Sequence, residues 1–236
     1  QRKGITRIEA QRLLTRSRNY FGAMMVRLNE ADGMLSGLTT HYPDTIRPAL
    51  QLVGKSEDYS VVSGLYMISS KGKQFFLADT TVNIEPDAEA VADIAIQTAH
   101  FVKHFDIAPK IALLSYSNFG SAEGKIPQKM RMALEMIKDR EPELMVDGEM
   151  QADTAVVPAI VENWFPFSNL KDGANILIFP DLASGNIAYK LLHRIGGAHV
   201  LGPVLQGLKK PINVLQRGDD IDQIVDMIAI TAVDTK

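Results

Sequence analysis

The chain has 236 residues, 46% of them hydrophobic and 22% charged, with a formal net charge of −3 at neutral pH. That length suffices for one large α/β domain or two small ones, and the slightly acidic balance leaves no electrostatic footprint for nucleic acid. Cysteine is absent, which excludes disulfides and suits a reducing compartment; no apolar run approaches the roughly 18 residues of a membrane span and no signal-peptide pattern opens the chain, so the cytoplasm is expected.

Thr6 to Ser17 has helical spacing through Ile8, Leu13 and Leu14, and its arginines read as a solvated face. Tyr20 to Arg27 is a short apolar run expected as a buried strand, and Ala31 to Gly37 as a second strand ending on glycine. Asp44 is placed to cap a helix with Pro48 in its first turn. Val61 to Ile68 and Gln74 to Asp79 read as a hairpin turning at Lys71-Gly72-Lys73. Pro86 to His104 has the apolar stripe of an amphipathic helix. Lys110 to Ser115 and Asn175 to Phe179 are nearly continuous apolar runs, as in strands covered on both faces. Each leads through a small polar loop into a helical pattern, about Pro127 to Asp139 and Asn186 to Arg194. This alternation predicts a doubly wound α/β fold, in which ligands gather beyond the carboxyl ends of the strands.

Two strand-to-helix loops carry the candidate chemistry. Ser115 to Ser121, with Ser117, Asn118 and Ser121, offers backbone N–H groups, hydroxyls and a helix N-terminus to an anion. Pro180 to Asn186 offers Asp181 and Asn186, with Ser184 placed to cap the helix. Taken alone, each loop reads first as ordinary strand-to-helix capping, because caps of this composition are common. Between them Asp147-Gly148-Glu149-Met150-Gln151 either presents polar groups to a cleft or is a turn leading into an acidic helix start. His100 and His104 stand four apart, but no glutamate or cysteine completes a metal set, and no metal is expected. Trp164, Phe165 and Phe167 suit loop packing or a dimer contact. Neither a Gly-x-Gly-x-x-Gly fingerprint nor a Walker loop occurs.

The order of these segments is more specific than any one of them. Ile111 to Ser117, Asp147-Gly148-Glu149, Phe179-Pro180-Asp181 with Gly185-Asn186, Gly202-Pro203 with Gln206-Gly207 and Lys210-Pro211, Val214 to Gly218, and Ile228 to Thr231 follow one another. This series resembles the phosphate acetyltransferase family, and Asp44 to Gln51 extends the likeness over nearly the whole chain. Ser117 to Ser121, Met130 to Leu134 and Asn19 to Val26 are similar to one branch, the C-terminal phosphotransacetylase-like domain of large bacterial NADP-dependent malic enzymes. Free-standing members more usually carry Thr-Lys where this chain has Asn118-Phe119.

The resemblance implies a three-layer α/β domain over residues 1–236. It implies two subdomains with a cleft, whose C-terminal part spans about 105–236, and a homodimer within a larger homo-oligomer. Arg47 and Arg217 match active-site arginines of the family, whereas Gln216 and Gln223 stand where the family has a catalytic serine and aspartate. An amide accepts no proton near neutral pH. The expectation is therefore a non-catalytic regulatory domain with no cofactor of its own. It would bind acetyl-CoA as an allosteric effector through Arg47, Ser117, Asn118, Ser121, Asp147, Gln151, Asp181, Asn186, Gln206, Gln216 and Arg217. NADP and a divalent metal would belong to a malate-oxidising half upstream of Gln1, where the chain opens without methionine. Two alternatives stay open: an active phosphate acetyltransferase whose base has moved to Asp219, Asp220 or Asp222, and a purely structural dimerisation module.

Overall fold

The apolar runs in the middle of the chain pair into one six-stranded sheet. In order of occurrence its strands are β2 (Ser63–Ser70), β3 (Lys73–Ala78), β4 (Lys110–Leu114), β5 (Met145–Met150), β6 (Ile176–Ile178) and β7 (His199–Gln206). In space the order is β5-β4-β6-β3-β2-β7, parallel from β5 through β3, with β2 antiparallel to both its neighbours. The structure is a computed structural model describing residues 4–235. It divides into two compact units, Asp58–Gly207 and a second built from the residues up to Glu57 together with those from Leu208 onward.

Within the larger unit the crossovers are helices, as parallel pairing requires: α4 (Ala88–Lys103), α5 (Lys125–Arg140), the short α6 (Ala152–Val156) and α7 (Pro158–Trp164), and α8 (Leu182–Arg194). Ala112 and Leu114 of β4 pack with Ala155 of α6 and Tyr189 of α8, while the alternating Ile111 and Leu113, equally buried, point to the opposite face. Helix α4 is buried along nearly its whole length, from Ala88 to Val102, so it lies inside this unit as a core element. The arrangement is the doubly wound α/β fold that the alternation of elements predicts. The hairpin turns at Lys71 and Gly72, both at positive φ (50° and 75°), the pair of left-handed residues that a two-residue hairpin favours.

The smaller unit holds α1 (Arg7–Arg16), α2 (Arg18–Arg27), β1 (Met34–Gly37), α3 (Tyr42–Pro48) with a following π-helical turn Ala49–Val53, β8 (Ile212–Leu215) and α9 (Ile221–Val233). Strands β1 and β8 pair in parallel, joining segments far apart in the chain. They approach so closely at Gly37, which has φ 127°, that an added Cβ would lie 2.4 Å from the Leu215 carbonyl oxygen.

Three expectations are corrected. Tyr20 to Arg27 is helix, not strand: Ser17 caps it by accepting from the Tyr20 N–H, and Asn19, Ala23 and Val26 are buried at spacings of four and three. A short apolar run fits either element, and here the period decides. Pro48 ends α3 instead of starting it; Pro43 holds the first turn, and His41, not Asp44, precedes the helix. Asp147-Gly148 is no turn, because both residues lie inside β5.

Candidate active site

The carboxyl ends of β4 and β5 bring four nominated residues, Ser117, Asn118, Ser121 and Gln151, into one cluster. At its centre is a residue that was not nominated, Glu149, whose side chain is fully buried. Its Oε1 accepts from the Ser117 hydroxyl (2.8 Å), the Gly120 N–H (2.9 Å) and Nη1 of Arg131 on α5 (3.0 Å). Its Oε2 has no hydrogen-bond partner among the described residues. Ser117 Oγ in turn accepts from the Ala122 N–H at 3.0 Å, Ser121 Oγ accepts from the Asn118 N–H at 2.9 Å, and Asn118 Oδ1 accepts from the Gln151 N–H at 2.7 Å. The loop therefore already encloses an anion, and it belongs to the protein. Its N–H groups are committed to Glu149 and to neighbouring hydroxyls, so this part of the loop is not an open cradle for phosphate.

The second loop is likewise occupied by its own side chains. Asp181, not Ser184, caps α8 by accepting from the Ser184 N–H at 2.8 Å, and Nδ2 of Asn186 donates to the Thr80 carbonyl. Gly185 lets this helix approach the end of β3: a Cβ there would sit 2.4 Å from the Asp79 carbonyl oxygen. Asp79, another residue not nominated, is buried and accepts from the backbone N–H groups of Gly64, Thr81, Val82 and Asn83, which shapes the loop after β3. Lys129 ties both loops together by donating to the carbonyls of Pro86 (2.9 Å) and Pro180 (2.6 Å). Burial lowers its pKa, against the opposing pull of Asp181, Glu85 and Asp87.

Two other nominated residues hold structure together. Asp147 accepts from the Ser168 hydroxyl at 2.7 Å. Gln206 is buried in a network with Thr98, Ser63 and Gln97. A cavity of about 570 Å³ lined by Ser60, Val61 and the segment from Val82 to Ala90 contains none of the nominated residues, and its walls carry Glu85, Asp87 and Glu89. That charge repels phosphate. His100 faces Tyr59 and Glu141 instead of His104.

The smaller unit carries Arg47, Gln216, Arg217 and Gln223. Arg47 on α3 and Arg217 in the turn after β8 are both exposed, and neither forms an ion pair among the described residues. Nη2 of Arg217 lies 3.4 Å from Nε2 of His41, just ahead of α3. Such guanidinium groups are what a phosphate or diphosphate recognises. Gln223 is committed to a capping box at the start of α9: its Oε1 accepts from the Asp220 N–H (3.0 Å), while Asp220 Oδ1 accepts from the Gln223 N–H (2.9 Å). Asp219 folds back on the turn, its Oδ2 accepting from the Gln216 N–H at 2.7 Å. Burial raises the Asp219 pKa; the Gln216 hydrogen bond opposes this and Asp220 adds to it.

The larger unit is a doubly wound α/β domain, and the smaller one bears two exposed arginines, groups of the kind that recognise phosphate. The chain matches the phosphate acetyl/butaryl transferase family model over residues 1–232, and it belongs to that family. It is 40% identical to a phosphate acetyltransferase of Bacillus subtilis over 232 residues, which are 98% of this chain and 72% of that protein. It is 41% identical to one from Synechocystis over 99% of this chain and 33% of the relative. A crystal structure of a phosphotransacetylase from Streptococcus pyogenes superposes with a TM-score of 0.93 at 41% identity, covering 99% of this chain and 72% of that one. These relatives overturn the expectation of a non-catalytic malic-enzyme domain, because they carry the name of the acetyltransferase itself. The NADP and divalent metal expected upstream of Gln1 lose their support along with that parent.

Proposed function

We propose that this chain is a phosphate acetyltransferase, exchanging the acetyl group between coenzyme A and phosphate, so that acetyl-CoA is a substrate and not an effector. The observation that carries the reading is the match, over nearly the whole chain, to relatives of that name. Arg47 and Arg217 add the charge the reaction needs. Acetyl phosphate is a dianion, and a guanidinium holds two of its oxygens at once. Charge passes to the carbonyl oxygen as sulfur attacks, and amide N–H groups of the kind Gln216 carries stabilise such oxyanions. No step of this transfer requires a cofactor or a metal.

Mixing the full chain with acetyl phosphate and coenzyme A, and following thioester formation, tests the proposal. Turnover that requires both substrates supports it, and its absence at high protein concentration ends it. A homodimer in the cytoplasm completes the reading. Ile187, Leu191 and Ile195 form an exposed apolar stripe along α8 and just beyond it, and equilibrium sedimentation showing a monomer would remove the dimer. Among the described residues no helix is long and apolar enough to cross a membrane.

A further inference from the structure

Thiol attack on acetyl phosphate needs the thiolate, and the amide groups of Gln216 and Gln223 cannot take the proton. Three carboxylates lie close behind Arg217 in the sequence, and the structure separates them. Asp220 is the N-cap of α9, and both its backbone N–H and its carboxylate are bonded to Gln223. Asp222 is exposed in the first helical turn, where its charge complements the helix dipole. Asp219 differs from both. It is half-buried in the turn that holds Gln216 and Arg217, and that turn is closed in two directions, by the Asp219 N–H on the Gln216 carbonyl (3.3 Å) and by Asp219 Oδ2 on the Gln216 N–H (2.7 Å). The second bond fixes the carboxylate and leaves Oδ1 without a hydrogen-bond partner among the described residues.

We infer that Asp219 is the general base of this chain, with Oδ1 taking the proton from the thiol of coenzyme A. The inference rests on the transferase reading above. In the forward step the S–H proton moves to Oδ1 and the sulfur lone pair forms a bond to the acetyl carbonyl carbon. Collapse of the tetrahedral adduct breaks the bond from that carbon to the bridging oxygen. Phosphate leaves and takes the proton from Asp219, so atoms and charge balance without another reactant. The charged group that acts on the carboxylate is Asp220, the N-cap of α9. Arg217 lies in the same turn and contacts His41 just ahead of α3, and Asp222 follows in the first turn of α9. Burial strengthens Asp219 as a base relative to an ordinary aspartate. The reactive form is the carboxylate, so the rate rises with pH as Asp219 deprotonates, and this acidic limb lies above the range of an unperturbed aspartate.

The test is the pH profile of thioester formation by the full chain and by Asp219→Asn and Asp220→Asn. Asparagine keeps an oxygen to accept from Gln216 at position 219 and is an equally good N-cap at position 220, so both variants should melt cooperatively, as the parent does. Asp219→Asn is expected to lose ~10²–10⁴-fold in kcat and to lose the acidic limb, with KM for acetyl phosphate changed less than about threefold, since the arginine side chains and not this carboxylate hold that substrate. Asp220→Asn should keep the rate and retain the limb, moved to lower pH because the charge of Asp220 helps raise the Asp219 pKa. A folded Asp219→Asn variant with parental rate and pH profile overturns the inference while leaving the transferase reading intact. A parent chain that is itself inactive removes both.

Discussion

Exchanging Glu149 for glutamine preserves shape and one acceptor oxygen but removes the charge on which the loop after β4 is built. Oε1 accepts three hydrogen bonds from Ser117, Gly120 and Arg131, all at 2.8–3.0 Å, from a side chain with no exposure. Charge-assisted bonds contribute about 1.5–3 kcal/mol and neutral ones about 0.5–1.5 kcal/mol, so those from Ser117 and Gly120 each lose about 1 kcal/mol. The Arg131 side chain is 35% exposed and turns to water when released, which limits its share to about 1 kcal/mol or less. Relief of the buried charge offsets part of this, and an amide N–H placed where Oε2 now lacks a partner adds back a comparable penalty. The net expectation is a loss of about 2–3 kcal/mol. Glu149→Ala, which also leaves a void and two buried donors without an acceptor, should cost about 4 kcal/mol or more. Urea unfolding at constant m-value measures both, and amide exchange at Gly120 localises the effect. A glutamine variant within about 0.5 kcal/mol of the parent, the range of an inconsequential surface change, would show that Glu149 does not organise the loop.

Arg217→Ala and Arg47→Ala should each raise KM for acetyl phosphate about tenfold to a hundredfold, the worth of a charge-assisted contact, with melting temperature unchanged because both residues are exposed. Either variant with parental KM would remove that arginine from the site. The raised pKa of Asp219 means that the folded state holds this proton more tightly than the unfolded chain does. Its ionisation therefore destabilises the fold once pH passes from 3.8 up through the raised value, and not below 3.8. Asp219→Asn should accordingly be more stable than the parent at neutral pH and no more stable at pH 3, and thermal melts at the two pH values that show no such difference would contradict the assignment. Gln223→Asp restores a carboxylate one helical turn into α9, at the cost of the side-chain half of the capping box, about 0.5–1 kcal/mol. It should recover part of the rate lost in Asp219→Asn, and kcat of the double variant decides. Lys129→Met removes the donor shared by the carbonyls of Pro86 and Pro180, so amide exchange should quicken around both residues and not in β5.

Elements whose signal is local were legible in the sequence. The hairpin was written in Lys71-Gly72, helix α4 in its apolar stripe, and β4 and β6 in runs apolar on both faces; together they specified the doubly wound class. The order of short motifs also pointed to the family. Reading Gln216 and Gln223 as a sign of lost catalysis went further than the residues allowed, because two substitutions report missing groups and say nothing about a carboxylate nearby that can serve instead. Helix α2 was misread because eight apolar-rich residues suit either element, and only the packing of Ala23 and Val26 selects the helix.

Tertiary structure alone decided how the polar residues are used. Ser117, Asn118 and Ser121 look in sequence like an open anion cradle, yet Glu149, about thirty positions downstream, fills it, because parallel pairing of β4 with β5 brings that carboxylate under the loop. Gln206 reads as a site residue and is a satisfied core amide. Asp219, Asp220 and Asp222 are equivalent as letters, and the geometry of one turn makes the second a helix cap, the third a solvated charge and the first a half-buried carboxylate with one oxygen bonded to the Gln216 N–H. The sequence alone determined which elements form and which polar groups are present. Which of those groups are already committed to the protein was decided by contacts between segments distant in the chain, since a hydrogen bond depends on distance and direction in space and not on separation along the sequence.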